Sequence, residues 1–158
     1  MIVENLQNLD TFSNYDFKYD LVCPDGWTFY SRTQKCYRVY PINLPWQAAR
    51  DKCRELAPDM KGDLASIPDQ KTQNFISSLY YSFNYYRYGV WIGGMKKSDG
   101  QWGWSDGSRF SFKYWQGRSN GRPKRGGSNI RLFSYGWEDQ TGKSRYNPIC
   151  QQLPISSK

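Results

Sequence analysis

Histidine is absent from this 158-residue chain. Its absence removes Ser-His-Asp and Cys-His nucleophilic machinery, and every His-ligated catalytic metal. Carboxylate pairs remain available for acid–base work. No such pair stands in a catalytically readable pattern, so an enzyme is not expected. Cysteine is scarce: Cys23, Cys36, Cys53 and Cys150, with no Cys-x-x-Cys pair. A zinc site would need all four scattered thiols. An even number in a small, loop-rich chain reads instead as two disulfides and an oxidising compartment. Four cysteines allow three pairings, and spacing alone does not choose among them. The chain opens without a basic or apolar leader, holds no run of transmembrane length and carries no Asn-x-Ser/Thr sequon. The expectation is the mature part of a longer secreted precursor, extracellular, with no membrane span and no N-linked glycan. Acid is missing locally as well: residues 107–137 contain no Asp or Glu.

Aromatic residues are plentiful, with 7 Trp, 13 Tyr and 8 Phe. They can fill one core with few aliphatics, and the length suits one domain. Residues 1–22 lack periodicity and read as a flexible leader or a docked edge strand, residues 23–152 as the domain and 153–158 as a tail. Residues 27–30 and 35–40 read as β-strands after the turn at Asp25-Gly26. The clearest helix covers 45–57. Pro45 sits at its start, Trp46, Ala49, Cys53 and Leu56 share one face, and Pro58 stops it. Asp69 opens a second helix whose apolar face is Phe75, Ile76, Leu79 and Tyr80. Residues 64–67 form a short buried segment. The tyrosines at 80, 81, 85, 86 and 88 read as half-buried packing at that helix end, with a ligand-stacking surface as the alternative. Residues 90–94 read as a buried strand ending in a tight turn at the glycines, and 101–106 as a strand. A long loop with few apolar residues follows, until closing strands at 129–133 and 146–150.

The order of these features resembles the C-type lectin-like domain. The carrying motifs are Cys-Pro-Asp-Gly-Trp at 23–27, Lys-Cys-Tyr at 35–37, Trp46, Ala49, Cys53, Leu-Ala-Ser-Ile at 64–67, Gln-Asn-Phe at 73–75, Trp-Ile-Gly at 91–93, Gln-Trp-Gly-Trp-Ser-Asp-Gly at 101–107, Trp115, Trp-Glu-Asp at 137–139 and Cys150. The resemblance implies an α+β fold, with two helices flanking antiparallel sheets and a long irregular ligand loop. It implies the pairings Cys23–Cys36 and Cys53–Cys150. Two departures stand out. Family members carry an inner disulfide across the loop region, and the matching positions here read as Ile130 and Gly142. Such a bridge contributes roughly 2–4 kcal/mol, so its loss predicts a looser loop unless packing compensates. Sugar-binding members hold Ca²⁺ with a Glu-Pro-Asn-like triplet and an Asn-Asp pair. Here the triplet reads Arg122-Pro-Lys124 and the pair Glu138-Asp139. A hard cation needs several oxygens and net negative charge, so no calcium cofactor is expected at this place, and the two carboxylates are expected to pair with the cations.

The acid-free stretch holds Arg109, Lys113, Arg118, Arg122, Lys124, Arg125 and Arg131. These seven account for nearly all of the chain's net +8. Charge localised on one loop points to an anionic partner, and Arg suits bidentate contact with sulfate, phosphate or carboxylate. A glycine-rich solvated loop is the competing reading. The candidate ligand residues are Arg118, Arg122, Lys124, Arg125, Arg131, Glu138 and Asp139, and the candidate partner is an acidic or sulfated glycan. A protein-binding or dimer-forming module, or a structural matrix role, is the alternative. No nucleic-acid fold signature and no basic amphipathic helix are present, so neither nucleic acid nor membrane is the expected partner.

Overall fold

The structure, a computed structural model, describes residues 20–83, 88–116 and 121–157. Among them ten strands and two α-helices form one mixed assembly. The first helix, α1 (Trp46–Leu56), begins directly after Pro45 and buries Trp46, Ala49 and Cys53. These positions recur at three and four residues, which is the period of one helical face. Pro58 opens a single 3₁₀ turn, Pro58–Met60, instead of a further α turn. The second helix, α2 (Gln70–Tyr81), is capped by Asp69. The cap's Oδ1 accepts from the Thr72 backbone N–H and from its hydroxyl, both at 2.8 Å, and so satisfies a donor that the first turn leaves unpaired.

The strands are β1 (Leu21–Val22), β2 (Thr28–Tyr30), β3 (Lys35–Val39), β4 (Asp63–Leu64), β5 (Val90–Lys96), β6 (Trp102–Trp104), β7 (Asn129–Phe133), β8 (Gly136–Gln140), β9 (Asn147–Gln152) and β10 (Ile155–Ser156). The main sheet runs β2-β3-β9-β5-β7-β8, with β4 beside β9 and β6 beside β5. All its pairs are antiparallel except β5–β9, which is parallel. The expected antiparallel sheets are therefore fused into one mixed sheet at that junction. β1 pairs only with β10, which joins the end of the leader to the tail; the leader reading otherwise falls on residues 1–19, outside those described.

Every residue of β9 is buried, although it reads Asn-Pro-Ile-Cys-Gln-Gln. Buried amides must be paired. The Gln151 Oε1 accepts from the Ser66 N–H at 2.9 Å, and its Nε2 donates to Asp106 at 2.8 Å. Cys150, in mid-strand, is bonded to Cys53 of α1, and Cys23 is bonded to Cys36 of β3. Both pairings are those implied by the family resemblance. The Cys53–Cys150 bridge lies in a cluster with Trp46, Leu64 and Trp91; a larger cluster gathers Trp104, Trp115 and Trp137 with Ile130, Leu132 and Tyr80.

Three local expectations change. The strand at 90–94 does not turn at its glycines but continues to Lys96. A Cβ on Gly94 would lie 2.1 Å from the Ile130 side chain, so this glycine lets β7 approach, not the chain reverse. Residues 136–140 form a full strand, β8, where the sequence shows only a landmark motif. Of the tyrosine run, Tyr80 is buried, whereas Tyr81 is 50% and Tyr88 68% exposed; Tyr85 and Tyr86 lie outside the described residues.

Candidate functional site

Among the described residues of 107–116 and 121–128 there is no regular strand, yet the first part is tied to β8. The backbone of Trp115 bridges that of Trp137 in parallel. The Trp137 N–H donates to the Tyr114 carbonyl at 2.7 Å, and the Gln116 N–H to the Trp137 carbonyl at 2.8 Å. The indole of Trp137 is the hub of the aromatic packing. Trp104, Phe112 and Trp115 meet it edge to face at 5.3–5.8 Å, and Phe110 lies 5.9 Å away. Its Nε1 donates to Gln73 Oε1 of α2 at 2.8 Å. Such edge-to-face contacts add about 0.5–1.5 kcal/mol each beyond area burial. The few apolar residues of this loop, Phe110, Phe112 and Trp115, thus pack on the core, as the family resemblance implies.

The second part, residues 121–128, is organised by one carboxylate. Asp139 on β8 is 2% exposed. Its Oδ1 accepts from the backbone N–H groups of Lys124 and Arg125 at 2.8 and 3.0 Å, and its Oδ2 from those of Arg125 and Gly127 at 3.0 and 2.7 Å. Burial alone pushes this acid up. The N–H groups of Arg125, Gly127 and Lys124 outweigh that and hold it below the usual carboxylate range. The expectation that Asp139 pairs with cationic side chains is therefore corrected: its partners are the backbone of the basic segment. Gly127 is fixed by sterics as well, since a Cβ there would meet the Gln140 backbone at 2.4 Å.

Glu138 behaves as expected. It pairs with Arg131, is 3.7 Å from the Arg125 guanidinium and accepts from Gln140. Arg131 is locked in place. It donates to the Tyr88 carbonyl and the Tyr146 hydroxyl, and its guanidinium carbon lies 4.9 and 4.8 Å from the Phe133 and Tyr146 ring centres. Its side chain is 14% exposed, so this cation braces β7 against the segment before β9 and is not free to bind a ligand. That removes Arg131 from the contact set.

Arg122, Lys124, Arg125, Glu138 and Asp139 line one cavity of about 240 Å³, together with Gln116 and Trp137. Five of the seven expected ligand residues are thus brought together. Arg131 reaches the cavity only through Glu138, and Arg118 lies outside the described residues. Gln116 and Trp137 were not expected on the wall. Only the bridge between Trp115 and Trp137 puts them there, and no sequence spacing signals it. The basic stretch is also not one patch: Arg109 sits on a separate cavity of about 340 Å³ with Arg32 and Lys35.

Calcium does not fit this arrangement. Both oxygens of Asp139 already accept N–H groups, Glu138 is held by cations, and Arg122 and Lys124 stand where oxygen donors would be needed. Among the described residues no group of three or more acidic, Cys or His side chains is placed to hold a metal. The lost inner disulfide is also relocated. Ile130 is fully buried against Gly94, whereas Asn129 Oδ1 lies 2.6 Å from where a Gly142 Cβ would stand. Adjacent strand residues point to opposite faces, so Asn129, not Ile130, faces Gly142.

The disulfide-tied helix, the mixed sheet and the long loop folded over β8 define a lectin-type binding domain. A family model for the lectin C-type domain matches residues 42–152, and the chain belongs to that family. It is 35% identical over 95 residues to the galactose-specific lectin nattectin of Thalassophryne nattereri, covering 60% of this chain and 56% of nattectin. The chain thus spans little more than half of that relative. It is 30% identical over 135 residues to lithostathine-2 of Mus musculus, covering 82% and 74%. Human lithostathine superposes with a TM-score of 0.71 at 26% identity, over 83% of this chain and 99% of that one. A calcium-independent type II antifreeze protein superposes with a TM-score of 0.71 at 26% identity, over 88% and 100%. The family and these neighbours are lectin-like binding proteins, and the chain is not an enzyme.

Proposed function

We propose that this is a secreted, calcium-independent lectin domain that recognises an anionic glycan, sulfated or uronic, through Arg122, Lys124 and Arg125, with Arg118 on the same loop. One observation carries the reading. The two carboxylates left from the calcium motif are turned to structural work, Asp139 on the loop backbone and Glu138 on Arg131. The cations on the cavity wall are then left facing solvent. Arg122 and Lys124 are exposed, and neither has a carboxylate partner among the described residues. An anionic group entering the cavity gains charge-assisted hydrogen bonds without displacing an existing ion pair at these two residues. The likeness to a calcium-independent antifreeze protein supports a member of this fold working without calcium. The two disulfides support an oxidising, extracellular setting.

Chromatography on immobilised heparin tests this. The protein should elute at the same salt with and without chelator, and R122A/K124A/R125A should elute at distinctly lower salt, because exposed charge contacts are screened. Elution of the native chain with a neutral control domain ends the proposal. A protein-binding role would draw on exposed aromatic residues outside the cavity lining, such as Tyr88 and Tyr135, 68% and 75% exposed. It is favoured if heparin is ignored while a Tyr135→Ser change disrupts self-association.

A further inference from the structure

A second cavity, of about 350 Å³, adjoins the first. Arg122 lines both. The two differ in character. The first carries Glu138 and Asp139 among its cations; the second holds no carboxylate among the described residues and is walled by Trp102, Phe110, Lys113, Trp115, Arg122 and Pro123. Trp102 is only partly buried, and its ring centre is 5.0 Å from that of Trp115. Lys96, an exposed residue at the end of β5, places its Nζ 5.5 Å from the centre of the Trp102 ring. Lys96 lies outside the acid-free stretch, so the fold adds a cation that the loop sequence does not show.

Resting on the glycan reading above, we propose that the ligand is an extended acidic oligosaccharide bound across both cavities, not a single sugar. One acidic group sits among Arg122, Lys124 and Arg125. The neighbouring sugar lies with its apolar face on Trp102, which the buried Trp115 backs, and its own acidic substituent meets Lys113 and Lys96. Three observations carry this. Pyranose rings present an apolar face, and aromatic walls are how proteins bury such a surface beside polar groups. Cations reach the aromatic wall both from β5 (Lys96) and from the loop (Lys113), and neither has an ion-pair partner among the described residues. And Arg122 lines both cavities, so an acidic group held by Arg122 in the first, which at about 240 Å³ is small for a ligand site, stands at the edge of the second.

Calorimetric titration of the intact domain with size-defined heparin disaccharide and hexasaccharide tests the idea. The hexasaccharide should bind the native protein at least about tenfold more tightly, because its second half engages without a separate loss of freedom. In K96A/K113A the advantage should shrink to below about threefold, with the disaccharide affinity unchanged. W102L should do the same through lost stacking. Because Trp102 also touches the core, the lysine variant, exposed at both positions, keeps the test clear of misfolding. Equal affinity of the native protein for both lengths, or a length advantage untouched in K96A/K113A, overturns the two-cavity proposal and leaves single-site glycan binding standing. Binding of neither oligosaccharide overturns both.

Discussion

Helix α1 is joined to strand β9 by Cys53–Cys150 and by the burial of Trp46, Leu64 and Trp91, and β9 is held by ladder hydrogen bonds to β3 on one side and β5 on the other. Residues 121–127 carry no disulfide and belong to no strand. Their backbone donors converge on the two oxygens of Asp139, and the neighbouring loop residues lean on Trp137. The comparison shows one need met in two ways. A backbone withdrawn from water must have its N–H groups paired. A sheet does this with its neighbouring strands; this loop does it with one buried carboxylate and, at Ser128, with the Gln140 carbonyl. The negative charge needed to tie this loop is spent inside it, and that leaves its positive side chains outward.

The sharpest way to break the comparison is to cut the scaffold side. The Cys53–Cys150 bridge spans a sequence separation of 97, and closing a loop of about 100 residues is worth roughly 4.7 kcal/mol in the chain-entropy account. C53A/C150A should therefore lose about 4–5 kcal/mol in denaturant unfolding, while any folded fraction keeps its heparin affinity.

Next in size is the loop side. D139A leaves three backbone donors unpaired, and hydrogen bonds to a charged group contribute about 1.5–3 kcal/mol each. A loss of about 3 kcal/mol is expected, with fast hydrogen exchange at Lys124, Arg125 and Gly127 and weakened heparin binding. Acid should produce the same loosening reversibly. The folded Asp139 holds its charge below the ordinary carboxylate range, so its contribution is complete above that range and is lost as pH falls through the lowered value. In D139A this part of the acid dependence should vanish.

A smaller effect sharpens the comparison by giving the loop side a staple of its own. N129C/G142C should form a disulfide and add up to about 2 kcal/mol. I130C/G142C should not form one, because the Ile130 side chain points away into the core. Thiol titration and unfolding of the oxidised and reduced forms distinguish the two.

The pattern of residues told much about the scaffold. Pro45 and Asp69 marked the helix starts, and the Trp46, Ala49, Cys53 spacing marked the buried face; the cysteine pairing followed from family resemblance, not from spacing. Arg122, Lys124 and Arg125 and the pair Glu138-Asp139, which the family resemblance links, line one cavity. What was illegible depends on register and on non-local pairing. Reading Ile130 in place of Asn129 is a one-residue slip, and in a strand that exchanges core for surface. β8 was hidden because Trp-Glu-Asp-Gln has no apolar alternation, its buried acid being satisfied by the loop backbone and its amide by Glu138. Arg131 reads like its basic neighbours, yet Glu138, Tyr146 and Phe133 claim it. Lys96 joins the basic face only because β5 continues past Gly94 and pairs with the strand carrying Trp102.

The central claim is that the Asp139 carboxylate holds the backbone N–H groups of the basic loop in place of a cation. Amide NMR signals of Lys124, Arg125 and Gly127 test it most directly, recorded while calcium and then a heparin hexasaccharide are added. The account predicts no change with calcium, clear shifts with the oligosaccharide, and loss of the native amide positions in D139A. Saturable calcium-induced shifts at these three amides, with oligosaccharide binding that appears only afterwards, would contradict it.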